Sequence, residues 1–115
     1  MQSFNTRILT PESCVFDGEV DALIVPGIAG SFGVLAHHAP MIAAVSPGVL
    51  KARGAWGTRF MVVGNGILDA GSNAVLVLAD SVIEVSDEYE AEERLADMVA
   101  EAGVRGYDRQ MTASG

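Results

Sequence analysis

Few side chains in this sequence are of the types that perform nucleophilic or metal chemistry. The only two histidines, His37 and His38, are adjacent, and sequence neighbours rarely turn toward one metal ion; no cysteine or carboxylate stands nearby at ligand spacing. Ser31 lies in Gly-Ser-Phe-Gly, which differs from the Gly-x-Ser-x-Gly turn of serine hydrolases, and Cys14 has no base beside it. These patterns favour structural roles for all four residues. The sequence therefore predicts no catalytic, metal or cofactor site.

The stretch from 25 to 40 has the most distinctive pattern, with Gly27, Gly30 and Gly33 at a spacing of three. This spacing differs from the dinucleotide-binding fingerprint, and no helical pattern follows it, so a phosphate site is not expected. Glycine permits a positive φ or a close backbone approach, which predicts a shaped loop. The side chains expected to be exposed on this loop are Ile28, Ser31 and Phe32. We interpret the loop as a surface for docking another protein.

The elements that must position this loop are short and rich in β-branched residues. Half of the 115 residues are hydrophobic and only 6% are aromatic, so one core built mainly from aliphatic side chains is expected. Apolar segments alternate with glycine or proline until about residue 84, which is typical of a sandwich or barrel. The strands predicted are 4–9, 14–16, 20–25, 33–35, 41–46, 48–53, 59–63, 66–70, 74–78 and 81–84. The predicted fold class is mainly β, an antiparallel β-sandwich of about ten strands forming a domain over 1–85.

Two of the predicted strands carry apolar residues at consecutive positions where the others alternate. The runs 61–63 and 75–78 are apolar throughout, as expected of strands covered on both faces. Between them, Gly64-Asn65-Gly66 predicts a tight turn with positive φ.

A helix is predicted after Val85, where the composition becomes acidic and no glycine or proline occurs before Gly103. Ser86 or Asp87 can cap its first amides, and acidic residues in its first turn suit the positive end of the helix dipole. The apolar positions recurring at helical spacing are Ala91, Leu95, Met98, Val99 and Ala102. We expect this stripe to pack on another surface. Residues 86–115 are thus interpreted as a C-terminal helix followed by a tail without clear periodicity.

The charge balance excludes several classes of partner. A formal net charge of −8 with only seven lysines and arginines argues against binding to nucleic acid, because phosphate backbones are bound by clustered basic residues. A single cysteine and the lack of a secretory leader pattern predict a reducing cytosolic environment. No apolar run reaches the ~18 residues that span a bilayer. Any membrane association is expected to be indirect.

Several segments, in order and spacing, resemble one known family. The matching segments are Glu12-Ser-Cys-Val-Phe-Asp-Gly18, Pro26-Gly-Ile-Ala-Gly-Ser-Phe-Gly-Val-Leu35, His38-Ala-Pro40, Pro47-Gly48, Gly64-Asn-Gly-Ile-Leu68 and Val77-Leu-Ala-Asp80. In combination they are similar to the epsilon subunit of bacterial F-type ATP synthase, whose mitochondrial equivalent is called delta. The resemblance runs from about 4 to about 102.

This resemblance implies a non-catalytic central-stalk subunit that couples proton flow to ATP synthesis by rotation. Its implied partners are the gamma subunit and the ring of membrane c subunits, with the catalytic alpha/beta hexamer as a further possible partner. It implies a peripheral position at the cytoplasmic face of the bacterial inner membrane, and no cofactor. By position, the residues that would face the c-ring are Gly30, Ser31, Phe32, Gly33 and His38. The residues that would pack the C-terminal arm are Leu95, Met98 and Val99.

Regulation is expected to be weak. Some relatives bind ATP through a motif with an arginine early in the first C-terminal helix, where this sequence has the acidic run 88–93. Only twelve residues follow Gly103, so we expect an arm too short to inhibit ATP hydrolysis strongly. Two other readings compete with a stalk subunit. The first is a cupin-like metal enzyme, which would need histidines on several strands. The second is a free-standing sandwich that binds a ligand or protein, and co-purification with a gamma-type partner would distinguish a stalk subunit from it.

Overall fold

The computed structural model describes residues 2–71 and 73–100. It contains ten strands followed by a helix, α1, over 88–100. The strands are β1 (Phe4–Leu9), β2 (Cys14–Val20), β3 (Ala22–Gly27), β4 (Gly30–Leu35), β5 (Met41–Val45), β6 (Gly48–Gly54), β7 (Gly57–Val63), β8 (Gly66–Ala70), β9 (Ala74–Ala79) and β10 (Val82–Val85). The prediction of a mainly β chain of about ten strands is confirmed.

The strands form one continuous path that bends into two layers. The order is β10-β7-β6-β3-β5-β8-β9-β1-β2, with β4 paired to the other edge of β3. Strands β3 and β5 meet at a single residue pair, Gly27 with Val45, which marks the corner. We call β4-β3-β6-β7-β10 sheet I and β5-β8-β9-β1-β2 sheet II. The two sheets enclose the core as a sandwich.

One strand pair departs from the predicted antiparallel arrangement. Strand β1 pairs antiparallel with β2 but parallel with β9, with Ile8 opposite Val77. A parallel pair needs a long connection, and here most of the domain separates the two strands. Local turn signals identify hairpins between successive strands, whereas this pairing is set by the closure of the whole sandwich.

The core lies between the two sheets and is almost entirely aliphatic. Its fully buried large side chains are Phe4, Ile8, Leu23, Leu50, Met61, Leu68, Val20, Val25, Val34, Val63 and Val77. Thr6 is the single polar residue that the described part of the chain buries completely, and its Oγ1 has no hydrogen-bond partner there. Aliphatic packing of this kind follows from the alternation in the strands, since every second residue faces inward.

A capping box fixes the start of α1. The Asp87 carboxylate accepts a hydrogen bond from the backbone N–H of Glu90 at 2.8 Å, and the Glu90 carboxylate accepts one from the N–H of Ser86 at 3.0 Å. The first bond satisfies an amide of the first helical turn. The second goes to the residue before the cap, which makes this arrangement a variant of the capping box. Of the two cap residues predicted, Asp87 has that role.

Helix α1 packs on the outer face of sheet I. Ala91 is fully buried there, and Leu95 and Met98 pack against the same cluster. Sheet I contributes five residues to this cluster: Val49, Phe60, Val62, Ile83 and Val85. Lys51 forms an ion pair with Glu88 at 2.6 Å beside this contact. Val99 is 54% exposed and lies outside the cluster, whereas Ala102 falls beyond the described residues. The domain division at 85/86 stays a prediction.

Replacing Ala91 with aspartate is expected to release α1 from sheet I. Ala91 is fully buried among apolar side chains, so the substitution would move a carboxylate out of water into this contact, which is costly. We expect strongly increased amide hydrogen exchange in α1. Ala96→Asp is the matched control, because Ala96 is exposed on the same helix. Equal exchange in both variants would contradict this packing.

Candidate functional site

The segment expected to be a shaped loop is the hairpin of β3 and β4. The strands pair without interruption from Ala22 with Leu35 to Gly27 with Gly30. Gly30 has φ +122°, the positive value that glycine adopts readily. At the tip, Ile28 is 78% exposed, as expected from the sequence.

The side chains along β4 divide between the core and the outside. Ser31 and Gly33 are exposed, whereas Phe32 is half-buried and packs against the core. The expectation of an exposed Phe32 is therefore wrong, because period-two alternation turns it inward together with Val34. A methyl group at Gly33 would meet no atom closer than the Leu23 backbone oxygen at 4.0 Å. Gly33 thus leaves an open spot on the surface.

His38 does not lie beside the hairpin tip. It follows the far end of β4, where its Nδ1 is 2.9 Å from the Leu35 carbonyl oxygen and its ring contacts the Phe4 ring edge-on, with centroids 5.2 Å apart. Because that carbonyl only accepts, Nδ1 is the donor, and the buried Nε2 has no partner among the described residues. Six residues of β4 place Gly30 and Leu35 about 17 Å apart. The five residues expected at the c-ring therefore form no compact cluster.

The side chains of the types that bind metal ions are scattered over the described part of the chain. Residues 2–71 and 73–100 contain no group of three or more histidine, cysteine or acidic side chains placed to hold a metal ion. The exposed Cys14 directs its Sγ to the Phe16 carbonyl oxygen at 3.4 Å. In the part of the chain that the structure describes, no helix has the length and apolar character needed to cross a bilayer.

A second surface, which the sequence did not reveal, lies on the outer face of sheet II. Ile42 is 77% exposed, Ile67 53% and Leu78 47%, with Ala44 exposed among them. The ladder register places Ala44, Ile67 and Leu78 side by side on β5, β8 and β9. We call these four residues the sheet II patch. Contiguous apolar surface of this kind usually marks an interaction site.

The exposure of Leu78 differs from what its sequence predicts. The two continuously apolar runs, 61–63 and 75–78, lie in β7 and β9. Both were expected to be covered on two faces. In β7, Val62 is fully buried because α1 covers the outer face of sheet I. In β9, the outward Leu78 remains 47% exposed, and the described residues place no element over it. Helix α1 thus supplies the predicted cover for β7, whereas none of the described residues supplies it for β9.

Comparison with known proteins identifies the family. The family model for the ATP synthase delta/epsilon chain β-sandwich domain matches residues 3–85. An ATP synthase epsilon chain of Rhodopseudomonas palustris strain BisA53 is 41% identical over 87 residues, covering 76% of this chain and 64% of that relative. One of Nitrobacter winogradskyi is 34% identical over 110 residues, covering 96% of this chain and 80% of the relative. The first of these matches thus spans less than two thirds of the relative's length.

Solved structures share the fold. A chain of the Euglena gracilis mitochondrial ATP synthase, in a structure of its OSCP, F1 and c-ring, aligns with a TM-score of 0.71 at 20% identity, covering 89% of this chain and 64% of that chain. A chain of the Tetrahymena thermophila mitochondrial ATP synthase central stalk and c-ring aligns with a TM-score of 0.61 at 15% identity, covering 95% and 96%. The match of the family model over the whole sandwich, together with these relatives, shows that the chain belongs to the ATP synthase delta/epsilon family.

Proposed function

We propose that this protein is a non-catalytic central-stalk subunit of an F-type ATP synthase, which couples proton flow to ATP synthesis. The sheet II patch carries the proposal, because a member of this family that exposes an apolar sheet face is built to bind another subunit. Protein binding is the activity that this apolar surface supports best.

The gamma subunit is the proposed partner of the sheet II patch. Ile42, Ile67 and Leu78 would each gain a favourable contribution of about 1 kcal/mol or more on losing contact with water, since burial of apolar surface contributes roughly 25 cal/mol per Å². The next row of side chains on the same face contains Ile42, Asp69, Leu76, Arg7 and Asp17. Its charged members border the patch, with Arg7 Nε and Asp17 Oδ2 3.9 Å apart. An apolar centre with a charged rim is the usual anatomy of a protein interface.

The hairpin tip is the proposed contact with the c-ring. Ile28 and Ser31 are exposed there, and the tip carries no charged side chain. Ser31 is uncharged and cannot form an ion pair with the c-ring. The contact would therefore rest on the Ile28 side chain and on backbone groups. His38 would lie on the flank of β4 and not at the tip. Association with the membrane, at the cytoplasmic face of the bacterial inner membrane, would be indirect and peripheral.

We propose that α1 remains on sheet I during rotation and inhibits ATP hydrolysis only weakly. Two features hold it on the sheet, the Lys51–Glu88 ion pair and the packing of Ala91. The capping bonds at Asp87 stabilise its first turn. Releasing α1 would expose Leu95, Met98 and the fully buried Val62 to water, which opposes a swing toward the alpha/beta hexamer.

A pull-down from detergent-solubilised membranes tests the proposed function. The tagged protein should retain the gamma and c subunits, identified by mass, in amounts that scale with the bait. Retention of neither subunit would contradict the proposal and favour the reading as a free-standing binding module.

A further inference from the structure

The free edge of strand β4 is the part of the fold that the proposed function leaves unexplained. Within the described residues, β4 pairs with β3 and with no other strand. An edge strand presents backbone N–H and C=O groups that can pair with another chain, and folded proteins normally protect such edges. The usual protections are charged side chains, proline, bulges, short length and a covering segment.

Two of the other edge strands in the described chain, β2 and β10, have these protections. Strand β2 carries Asp17 and Glu19, and its pairing with β1 contains a register shift. Strand β10 has only four residues, and its Glu84 is bound to Arg59 at 3.2 Å. Strand β4 reads Gly-Ser-Phe-Gly-Val-Leu, without charge or proline, and its register with β3 has no shift. Strand β5, which meets β3 only at Val45, also lacks charge and proline. Of these two edges only β4 contains a glycine, Gly33, beside which the surface is open.

The register identifies the backbone groups on that edge. The Pro26 carbonyl oxygen accepts a hydrogen bond from the Ser46 N–H at 3.0 Å, on the side of β3 away from β4. Pro26 and its partner Ser31 are thus a non-hydrogen-bonded pair, and Ser31 turns its N–H and C=O to the free edge. Hydrogen-bonded and non-hydrogen-bonded pairs alternate along the ladder, so Gly33 also turns its N–H and C=O to the free edge.

The surface beside this edge has room for a large side chain. Gly33 stands opposite Ile24, which is 41% exposed, and nothing occupies the space where a Gly33 side chain would be. A bulky apolar side chain on an added strand, next to Gly33, would cover Ile24. Cross-strand cover of an edge glycine by an aromatic residue is a known stabilising arrangement.

The negative net charge of the chain limits the net charge that an added strand can carry. A second copy of this protein would bring together two molecules of formal charge −8. Such repulsion opposes self-association, so a segment without net negative charge is the better fit.

We propose that β4 is a strand-addition site, at which an extended segment of a stalk partner pairs with Ser31 and Gly33 and places a bulky apolar side chain over Gly33 and Ile24. The inference rests on the proposed function, because it takes the partner to be a subunit of the same complex. It adds the mode of recognition: backbone pairing supplies the contact, and the gap at Gly33 selects the side chain.

Amide hydrogen exchange, measured on the free protein and on the protein within the assembled complex, tests the proposal. In the free protein the Ser31 and Gly33 amides should exchange rapidly, whereas those of Phe32 and Val34 are protected by β3. Assembly should slow exchange at Ser31 and Gly33 by at least 100-fold. Assembly with these two amides still exchanging as in the free protein would overturn strand addition while leaving the stalk assignment intact. Failure to assemble would overturn both.

A pair of variants provides a second readout. Gly33→Pro removes an N–H that points to the free edge, and should weaken binding to the complex at least tenfold. Gly33→Ala keeps that N–H and fills only part of the gap, so it should weaken binding much less than Gly33→Pro does. Equal binding by the two variants would contradict the proposal. A dimeric mass for the free protein, with slow exchange at Ser31 and Gly33, would show that a second copy and not a stalk partner occupies the edge.

Discussion

Replacing both Ile42 and Ile67 with aspartate should abolish binding to the gamma subunit without unfolding the sandwich. Both side chains are more than half exposed in the free protein, so replacing them removes little core packing. In the complex the two carboxylates would be buried in the apolar centre of the interface. Residues at such centres typically contribute ~2 kcal/mol or more each, which predicts binding at least ~100-fold weaker. Titration of purified gamma with the variant measures the loss.

The same substitution at Val99 is the control. Val99 is also 54% exposed, but it lies on α1 and outside the sheet II patch. We expect Val99→Asp to bind gamma within about threefold of the parent protein. Urea unfolding of both variants checks that the sandwich remains folded. If the doubly substituted protein binds gamma normally, the sheet II patch is not the gamma interface.

Replacing Gly66, the glycine that begins β8, with alanine should strongly destabilise the sandwich. An added Cβ would overlap the Leu78 backbone oxygen and lie 2.8 Å from the Ala79 Cα. Backbone atoms of β9 cannot rotate away as a side chain can, because β9 is paired on both sides, with β8 and with β1. Overpacking of this kind costs ~3 kcal/mol, and we expect the melting temperature to fall by roughly 12–24 °C.

Gly33→Ala is the matched control for this prediction. The nearest atom to a Cβ at Gly33 is 4.0 Å away, and the unfolded chain loses conformational freedom on gaining a side chain. We therefore expect stability within about 1 kcal/mol of the parent. Equal melting temperatures for the two variants would show that β8 and β9 tolerate separation.

The hairpins were predictable from sequence because their signals are local. Glycine and proline mark the turns, and alternating apolar residues mark the strands, which gave the ten elements of the sandwich. Strand β4 was predicted only over 33–35, whereas it begins at Gly30. Glycine has a low intrinsic strand preference, and pairing with β3 overrides that preference.

Other features depend on contacts that no local pattern contains. The Gly64-Asn65-Gly66 segment was expected to need positive φ, but none of the three residues has it. Gly66 is instead required by the close approach of β9. Likewise, apolar runs predicted cover on both faces of β7 and β9, but only the fold shows that α1 covers the first and leaves Leu78 exposed.

Reconstitution of proton pumping tests the account most directly. An ATP synthase preparation depleted of this subunit should lose coupling between ATP hydrolysis and proton transport. Adding the purified protein in equimolar amount should restore ATP-driven acidification of vesicles, and the variant with aspartate at Ile42 and Ile67 should not restore it. Restoration by that variant, or no restoration by the parent protein despite its correct fold, would contradict a central-stalk role.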